Sequence, residues 1–196
     1  MKKKFQESIK VKNDIIENGE LDKLEVIGNK IVKSILNGGK LLLCGNGGSA
    51  ADAQHLAAEM LIRLRPKFNR ESIPAISLAQ DISTITACGN DYSFDLIFSR
   101  VIESLGKKND ILLGITTSGK SKNIINVIKK AKEMDIQAFG FLGGDGGEAI
   151  KLCDEHFLVP SNNTARIQES HITAGHGLME FIEDELLESG YISLQG

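Results

Sequence analysis

Two short stretches carry the residue types that hold a phosphate. Gly45-Asn46-Gly47-Gly48-Ser49-Ala50 and Thr116-Thr117-Ser118-Gly119-Lys120-Ser121 each follow an apolar run and precede an amphipathic one. Unpaired backbone N–H groups at a helix start, with hydroxyls beside them, make an anion site. Ser49, Thr116, Thr117, Ser118 and Ser121 would converge on one compact phosphate if the two stretches lie side by side. Taken singly, Ser49 and Ser121 have a simpler use as helix caps. Their clustering at two neighbouring strand ends favours the phosphate.

Two familiar motifs compete for these stretches. The first fits the G-x-G-x-x-A form of a dinucleotide fingerprint, but the ribose-binding acid belongs about 20 residues on, at the end of the next strand. Glu71 falls before that strand and Asp81 beyond it. The second, from Gly114 to Ser121, satisfies GxxxxGK[ST] letter for letter. There Gly114 sits inside the apolar run rather than opening a turn, and no later strand ends in the aspartate that would hold magnesium. A sugar phosphate fits both stretches together better than a nucleotide, with a P-loop NTPase as the distant alternative.

Proton chemistry has its own candidates. Asp52, His55 and Glu59 stand in ADAQHLAAEM, and positions 55 and 59, four apart, share one helix face. An imidazole beside a carboxylate can move protons or hold a metal, although exposed pairs at this spacing are commonly of little consequence. The apolar neighbours Leu56, Ala57 and Ala58 suit a helix packed in an interface. A second polar stripe, Arg166, Gln168, Glu169, His171 and His176, runs along a segment otherwise made of Ile, Leu and Met. His171 reads as a satisfied core or interface histidine. Gly175 and Gly177 each cost up to about 1 kcal/mol in a helix relative to alanine, which implies close approach of another helix or of ligand.

The elements that must position these groups follow from hydrophobic pattern. Leu21, Leu24, Ile27, Ile31 and Ile35 recur at helical spacing before the stop Asn37-Gly38-Gly39, so helices occupy the first 37 residues. Apolar runs at 40–44, 75–78, 110–116, 137–142 and 155–159 alternate with helix-length spacers. Continuous rather than alternating hydrophobicity predicts parallel strands buried on both faces. The segment from Thr164 to about Glu188 carries Ile167, Ile172, Met179, Ile182 and Leu186 and closes the chain as one long helix. The expected fold is α/β, a doubly wound five-stranded parallel sheet flanked by helices, in a single domain spanning 1–196 with 1–37 packed on it. Ligands in such a sheet bind at the carboxyl ends of the strands. The segments there read GNGGS, QDIS, TTSGKS, GGDGG and PSNNTARIQE.

Composition narrows the partners. Charged residues make up 25% of the 196 residues and hydrophobic ones 41%, as in ordinary globular chains. A net charge of −3 supplies no broad field for nucleic acid. Cys44, Cys88 and Cys153, each beside apolar residues, lack the spacing of zinc or redox motifs and read as reduced buried thiols. No apolar run approaches the roughly 18 residues of a membrane span, and the basic start MKKK leads into polar sequence, which points to a cytoplasmic protein without membrane contact.

Four segments together, CGNGGSAADAQHLAAE (44–59), GNDYSFDLIFSR (89–100), TTSGKS (116–121) and RIQESHITAGH (166–176), closely resemble the phosphoheptose isomerases, which have the sugar-isomerase (SIS) fold of flavodoxin-like topology. The resemblance covers almost the whole chain in the family's order. It implies an aldose-ketose isomerase that converts sedoheptulose 7-phosphate to D-glycero-D-manno-heptose 7-phosphate through an enediol, for bacterial lipopolysaccharide or other surface polysaccharide. It further implies that Asn46, Gly47, Gly48, Ser49, Glu59, Asn90, Asp91, Thr116, Thr117, Ser118, Ser121 and Gln168 contact substrate. Glu59 and His176 match the acid-base pair, and His55, Glu59, Gln168 and His176 match the zinc ligands of some members. Lys120 departs from the asparagine usual in the family, and Ala165 lies at a variable position.

A homo-oligomer, by the resemblance a tetramer, is expected to share its sites between subunits. Gln168 and His176 are eight residues apart, about 12 Å of helical rise, so a neighbouring copy is expected to unite Glu59 of one chain with His176 of another. The competing reading is a non-catalytic SIS-fold protein that binds the replication initiator or senses sugar phosphates. The presence of both Glu59 and His176 favours the enzyme.

Overall fold

The computed structural model describes residues 1–79 and 81–195. Two helices, α1 (Lys2–Glu17) and α2 (Glu20–Leu36), break at Gly19, whose φ of 72° is left-handed and suits glycine. There follow β1 (Leu41–Gly45), α3 (Gly48–Leu61), β2 (Ala75–Ser77), α4 (Ile82–Asp91), α5 (Ile97–Leu105), β3 (Ile111–Thr116), α6 (Lys122–Glu133), β4 (Gln137–Gly143), β5 (Glu155–Val159) and α7 (Thr164–Glu188).

The five strands form one parallel sheet in the order β2-β1-β3-β4-β5. Alternate side chains of β1 serve opposite cores. Leu41 and Leu43 pack on the face covered by α2, α3 and α7, while Leu42 and Cys44 pack on the face of α5 and α6. The chain reverses its direction of winding between β1 and β3, and an open α/β sheet offers its ligand crevice at that switch point. Both glycine- and hydroxyl-rich stretches leave the sheet there.

The five expected strands and the closing helix are present within a residue or so of their expected limits. Two details differ. β5 is an edge strand with Glu155, His156 and Leu158 only half-buried, so it is not enclosed on both faces. Leu21, the first of the helically spaced apolar residues, is 45% exposed, whereas Leu24, Ile27, Ile31 and Ile35 are buried. Of the segment QDIS after β2, Gln80 lies outside the described residues; Asp81 caps α4 by accepting from the N–H groups of Ser83 and Thr84.

His171 is a core histidine, fully buried beneath the sheet. Its Nε2–H donates to the Leu142 carbonyl at 3.0 Å, and Nδ1 is buried without a partner among the described residues. Burial pushes its pKa down to about 4, against a smaller opposing effect of the Leu142 bond. The unfolded chain therefore binds this proton below about pH 6.5, while the folded chain refuses it until about pH 4. Stability from neutral His171 is thus complete above the unfolded pKa and is lost as pH falls through that window. About 2 kcal/mol should be lost between pH 7 and pH 5. Urea denaturation of wild type and His171→Asn at both pH values checks this: the variant should show the shallower pH dependence.

Candidate active site

The first loop after β1 turns at Gly47, φ 56°, and enters α3 at Gly48. A Cβ at Gly48 would lie 2.2 Å from Nε2 of Gln168, so glycine here lets the α7 amide close directly on the start of α3. The loop is tied to its neighbour by Asn46, which exchanges reciprocal amide hydrogen bonds of 2.8 Å with buried Asn123 of α6. Sequence reading missed Asn123, because one polar residue in KNIINVIKK looks like any helix surface position.

In the loop after β3, Thr116 Oγ1 accepts from the Gly119 N–H at 3.3 Å and lies 3.5 Å from Ser121 Oγ, while Ser118 Oγ accepts from the Lys120 N–H. Gly119 has φ 62°, and a Cβ there would meet the Gly146 carbonyl at 1.9 Å. Thr117 turns its carbonyl toward Gly143. Neither Ser49 nor Ser121 makes a side-chain capping bond, so the simpler use of these hydroxyls is not realised. Gly114 lies inside β3, where its missing side chain admits Ile124 of α6. A nucleotide-binding P-loop would need that glycine in the turn instead.

The proton-transfer candidates lie further along α3. His55 Nε2 stands 2.8 Å from His176 Nε2 and 3.5 Å from Glu59 Oε1. The two rings meet edge-on with centroids 5.0 Å apart. Asp52, one turn earlier, has Oδ2 buried without a partner among the described residues; desolvation raises its pKa against the pull of His55 and His176.

What aligns these groups is the packing of α3 on α7. Both helices start from carboxyl ends of strands and run the same way at a nearly constant offset, 121 residues at His55–His176 and 118 at Arg65–Glu183, just past the end of α3. Leu56 seats on Gly175, where a Cβ would come within 2.7 Å of it. The helix approach implied by that glycine thus occurs within the chain. Gly177 has nothing within 4 Å of its Cβ position and is not explained this way.

Several expectations are sorted by this geometry. Within one chain Glu59 and His176 both reach His55, so a second copy is not needed to unite them; the expectation overlooked that α3 and α7 are parallel neighbours. Gln168 belongs with Gly48, a separation from His176 of about 12 Å by helical rise. Asn90 and Asp91 stand exposed at the end of α4, joined by a hydrogen bond of 2.8 Å; among the described residues they share none with the loops or the histidines.

The donor chemistry of His55, Glu59 and His176 suits zinc, two imidazole nitrogens and a carboxylate being a familiar catalytic set. The side chains do not stand as a closed cage. No group of three or more His, Cys, Asp or Glu side chains forms a metal-holding cluster among the described residues.

A parallel sheet with hydroxyl-rich loops at its switch point and a histidine-carboxylate cluster on the adjoining helices defines an SIS-domain protein, and the SIS domain model matches residues 4–143. A Clostridium acetobutylicum phosphoheptose isomerase is 45% identical over 183 residues, covering 93% of this chain and 92% of its own. One from Sulfurimonas denitrificans is 46% identical, covering 97% of each. The solved phosphoheptose isomerase GmhA from Neisseria gonorrhoeae superimposes with a TM-score of 0.86 at 39% identity, covering 92% of this chain and 95% of that one. The Francisella tularensis phosphoheptose isomerase gives 0.89 at 36%, covering 93% and 96%. This chain belongs to the phosphoheptose isomerase family.

Proposed function

We propose that the chain converts sedoheptulose 7-phosphate to D-glycero-D-manno-heptose 7-phosphate, as an aldose-ketose isomerase of heptose biosynthesis. The observation that carries this reading is the meeting of Glu59, His55 and His176 seven to eleven residues along α3 from Gly48. Seven residues of helix rise about 10 Å, comparable to the length of an extended seven-carbon sugar phosphate. A phosphate at the start of α3 then leaves the carbonyl end beside the histidines.

In this reading Ser49, Thr116, Thr117, Ser118, Ser121 and the α3 amides take the phosphate; Asn46 and Gln168 line the sugar, and Asn90 and Asp91 bind it from α4. The Glu59 carboxylate removes a proton from C1 of the ketose while His176 protonates the C2 oxygen, giving the cis-enediol. His176 then takes the proton from the C1 oxygen, and Glu59 returns its proton to C2. No net proton is consumed. His55, Glu59 and His176 would hold zinc, and Gln168, about 12 Å along α7 in the same chain, would join them as fourth ligand only from a neighbouring copy; when bound, the metal would supply carbonyl polarisation.

Incubating the purified protein with sedoheptulose 7-phosphate, with and without zinc, should give aldoheptose phosphate by NMR. No product under either condition overturns the reading. Because the GxxxxGK[ST] match is accidental in this account, Lys120→Asn should retain activity within about threefold. Titration calorimetry should find no micromolar ATP binding; such binding in wild type, lost in Lys120→Ala, would restore the P-loop reading.

We further read the chain as a single cytoplasmic domain that assembles as a homotetramer. No helix among the described residues is long and apolar enough to cross a membrane. Phe5, Ile9 and Ile16 form an exposed apolar stripe on α1, and Gly177 opens on an apolar groove between α1, α2 and α7. The His55 side chain is 46% exposed in one chain, and a neighbouring subunit laid over it would exclude water from the enediol.

A further inference from the structure

The catalytic end of α3 has no glycine cap. Ile62 N–H bonds to the Ala58 carbonyl, and the carbonyls of Glu59, Met60 and Leu61 are left without helical donors. The segment entering β2 supplies them instead. Arg70 Nη2 donates to the Glu59 carbonyl and Nη1 to the Met60 carbonyl, both at 3.0 Å. Ile73 N–H also reaches Met60 at 3.1 Å, and Ser72 Oγ–H donates to Leu61. Arg70 is itself fixed: its Nε bonds to Glu183 of α7, and the side chains of both are 1% exposed. The second Glu183 oxygen takes Arg65, which also pairs with Asp184 and stacks on Phe68.

We propose that Arg70, held by Glu183, is a positioning residue for the reaction: it clamps the peptide of Glu59 onto α7 and so fixes the carboxylate against His55 and His176. The guanidinium touches both the backbone bearing Glu59 and the helix bearing His176. Its charge is also favourable at a helix C-terminus. Without the clamp the last turn of α3 frays, and a carboxylate displaced by about 1 Å can lose on the order of a hundredfold in rate. Arg65 shares the same carboxylate but follows α3 and donates to none of its carbonyls, which makes it the internal control.

This inference rests on the role proposed for Glu59, and the experiment separates the two. Arg70→Lys keeps a charge opposite Glu183 but cannot reach Glu183, Glu59 and Met60 at once; Arg65→Lys weakens the other half of the same ion pair. Both are compared with Glu59→Gln in kcat and KM for sedoheptulose 7-phosphate, per folded chain, at a temperature well below each thermal midpoint. Arg70→Lys should lose at least tenfold in kcat with KM within about threefold, while Arg65→Lys keeps kcat within twofold. A kcat of Arg70→Lys within twofold of wild type, or an equal loss in Arg65→Lys, overturns the positioning role. Should Arg70→Lys fail to fold, Ser72→Ala decides, since it removes an exposed donor to the same turn: a two- to fivefold fall in kcat at unchanged KM supports the clamp, and wild-type kcat refutes it. Activity retained in Glu59→Gln would instead remove the reading on which the clamp depends.

Discussion

Glu59→Gln is expected to lower kcat by about a thousandfold or more, in the upper range for loss of a positioned general base. The amide keeps the shape of the carboxylate and can still accept a hydrogen bond, so substrate should bind with an affinity within a few-fold of wild type. It cannot take a proton from C1. Because Glu59 is also a proposed zinc ligand, metal content must be measured beside the rate, by elemental analysis of the purified variant. A dead variant with full metal occupancy assigns the loss to proton transfer. A dead variant that has lost metal and recovers with excess zinc makes Glu59 chiefly a ligand. Wild-type turnover would sink both roles.

The largest stability effect is expected at Glu183. Glu183→Leu leaves the guanidinium of Arg70 buried with no countercharge, and breaking one side of a buried pair costs about 3–5 kcal/mol. Both oxygens of Glu183 are engaged, by Arg65 and Arg70; Arg65 keeps Asp184, so the loss falls on buried Arg70. For a chain of this size each kcal/mol moves the thermal midpoint by roughly 2–4 °C, which puts the expected fall near 10 °C. Asp184→Ala, at the exposed end of the same network, should cost less than about 1 kcal/mol. Parallel urea titrations of the two variants check the contrast; equal costs would show that the buried pair contributes no more than a surface bridge.

The contrast between these groups explains what could be read in advance. The strand at 110–116 announced itself because a central parallel strand is buried at every position and so carries a continuous apolar run, and His55 and Glu59 because four-residue spacing is a local fact about one helix. Leu21 shares the spacing of the buried Leu24 and Ile27 yet is exposed, because spacing cannot say how far a neighbouring element extends. The Arg70–Glu183 pair spans 113 residues, and neither flank has a local signature; only the docking of α7 on α3 brings the two together. The same docking carries His176 to His55 within one chain, a closeness that helical rise along α7 alone does not reveal. Asn90 and Asp91 were named from the family resemblance, and at their exposed position on α4 they share no hydrogen bond with the loops among the described residues.

The parallel alignment of α3 and α7 makes the pair a molecular ruler. In the proposed reading the phosphate end lies where Gln168 meets Gly48, and the proton-transfer end where His176 meets His55. The distance between them is counted in helical residues, which change it only in steps: one residue inserted in either helix adds about 1.5 Å but turns everything beyond it by about 100°. Such a change would swing His55 away from His176 before it lengthened the site usefully. Sugars with longer or shorter carbon chains therefore have to be accommodated by reshaping the loops after β1 and β3, and lineages of this architecture should tolerate insertions there while keeping the length between Gly48 and Glu59 fixed.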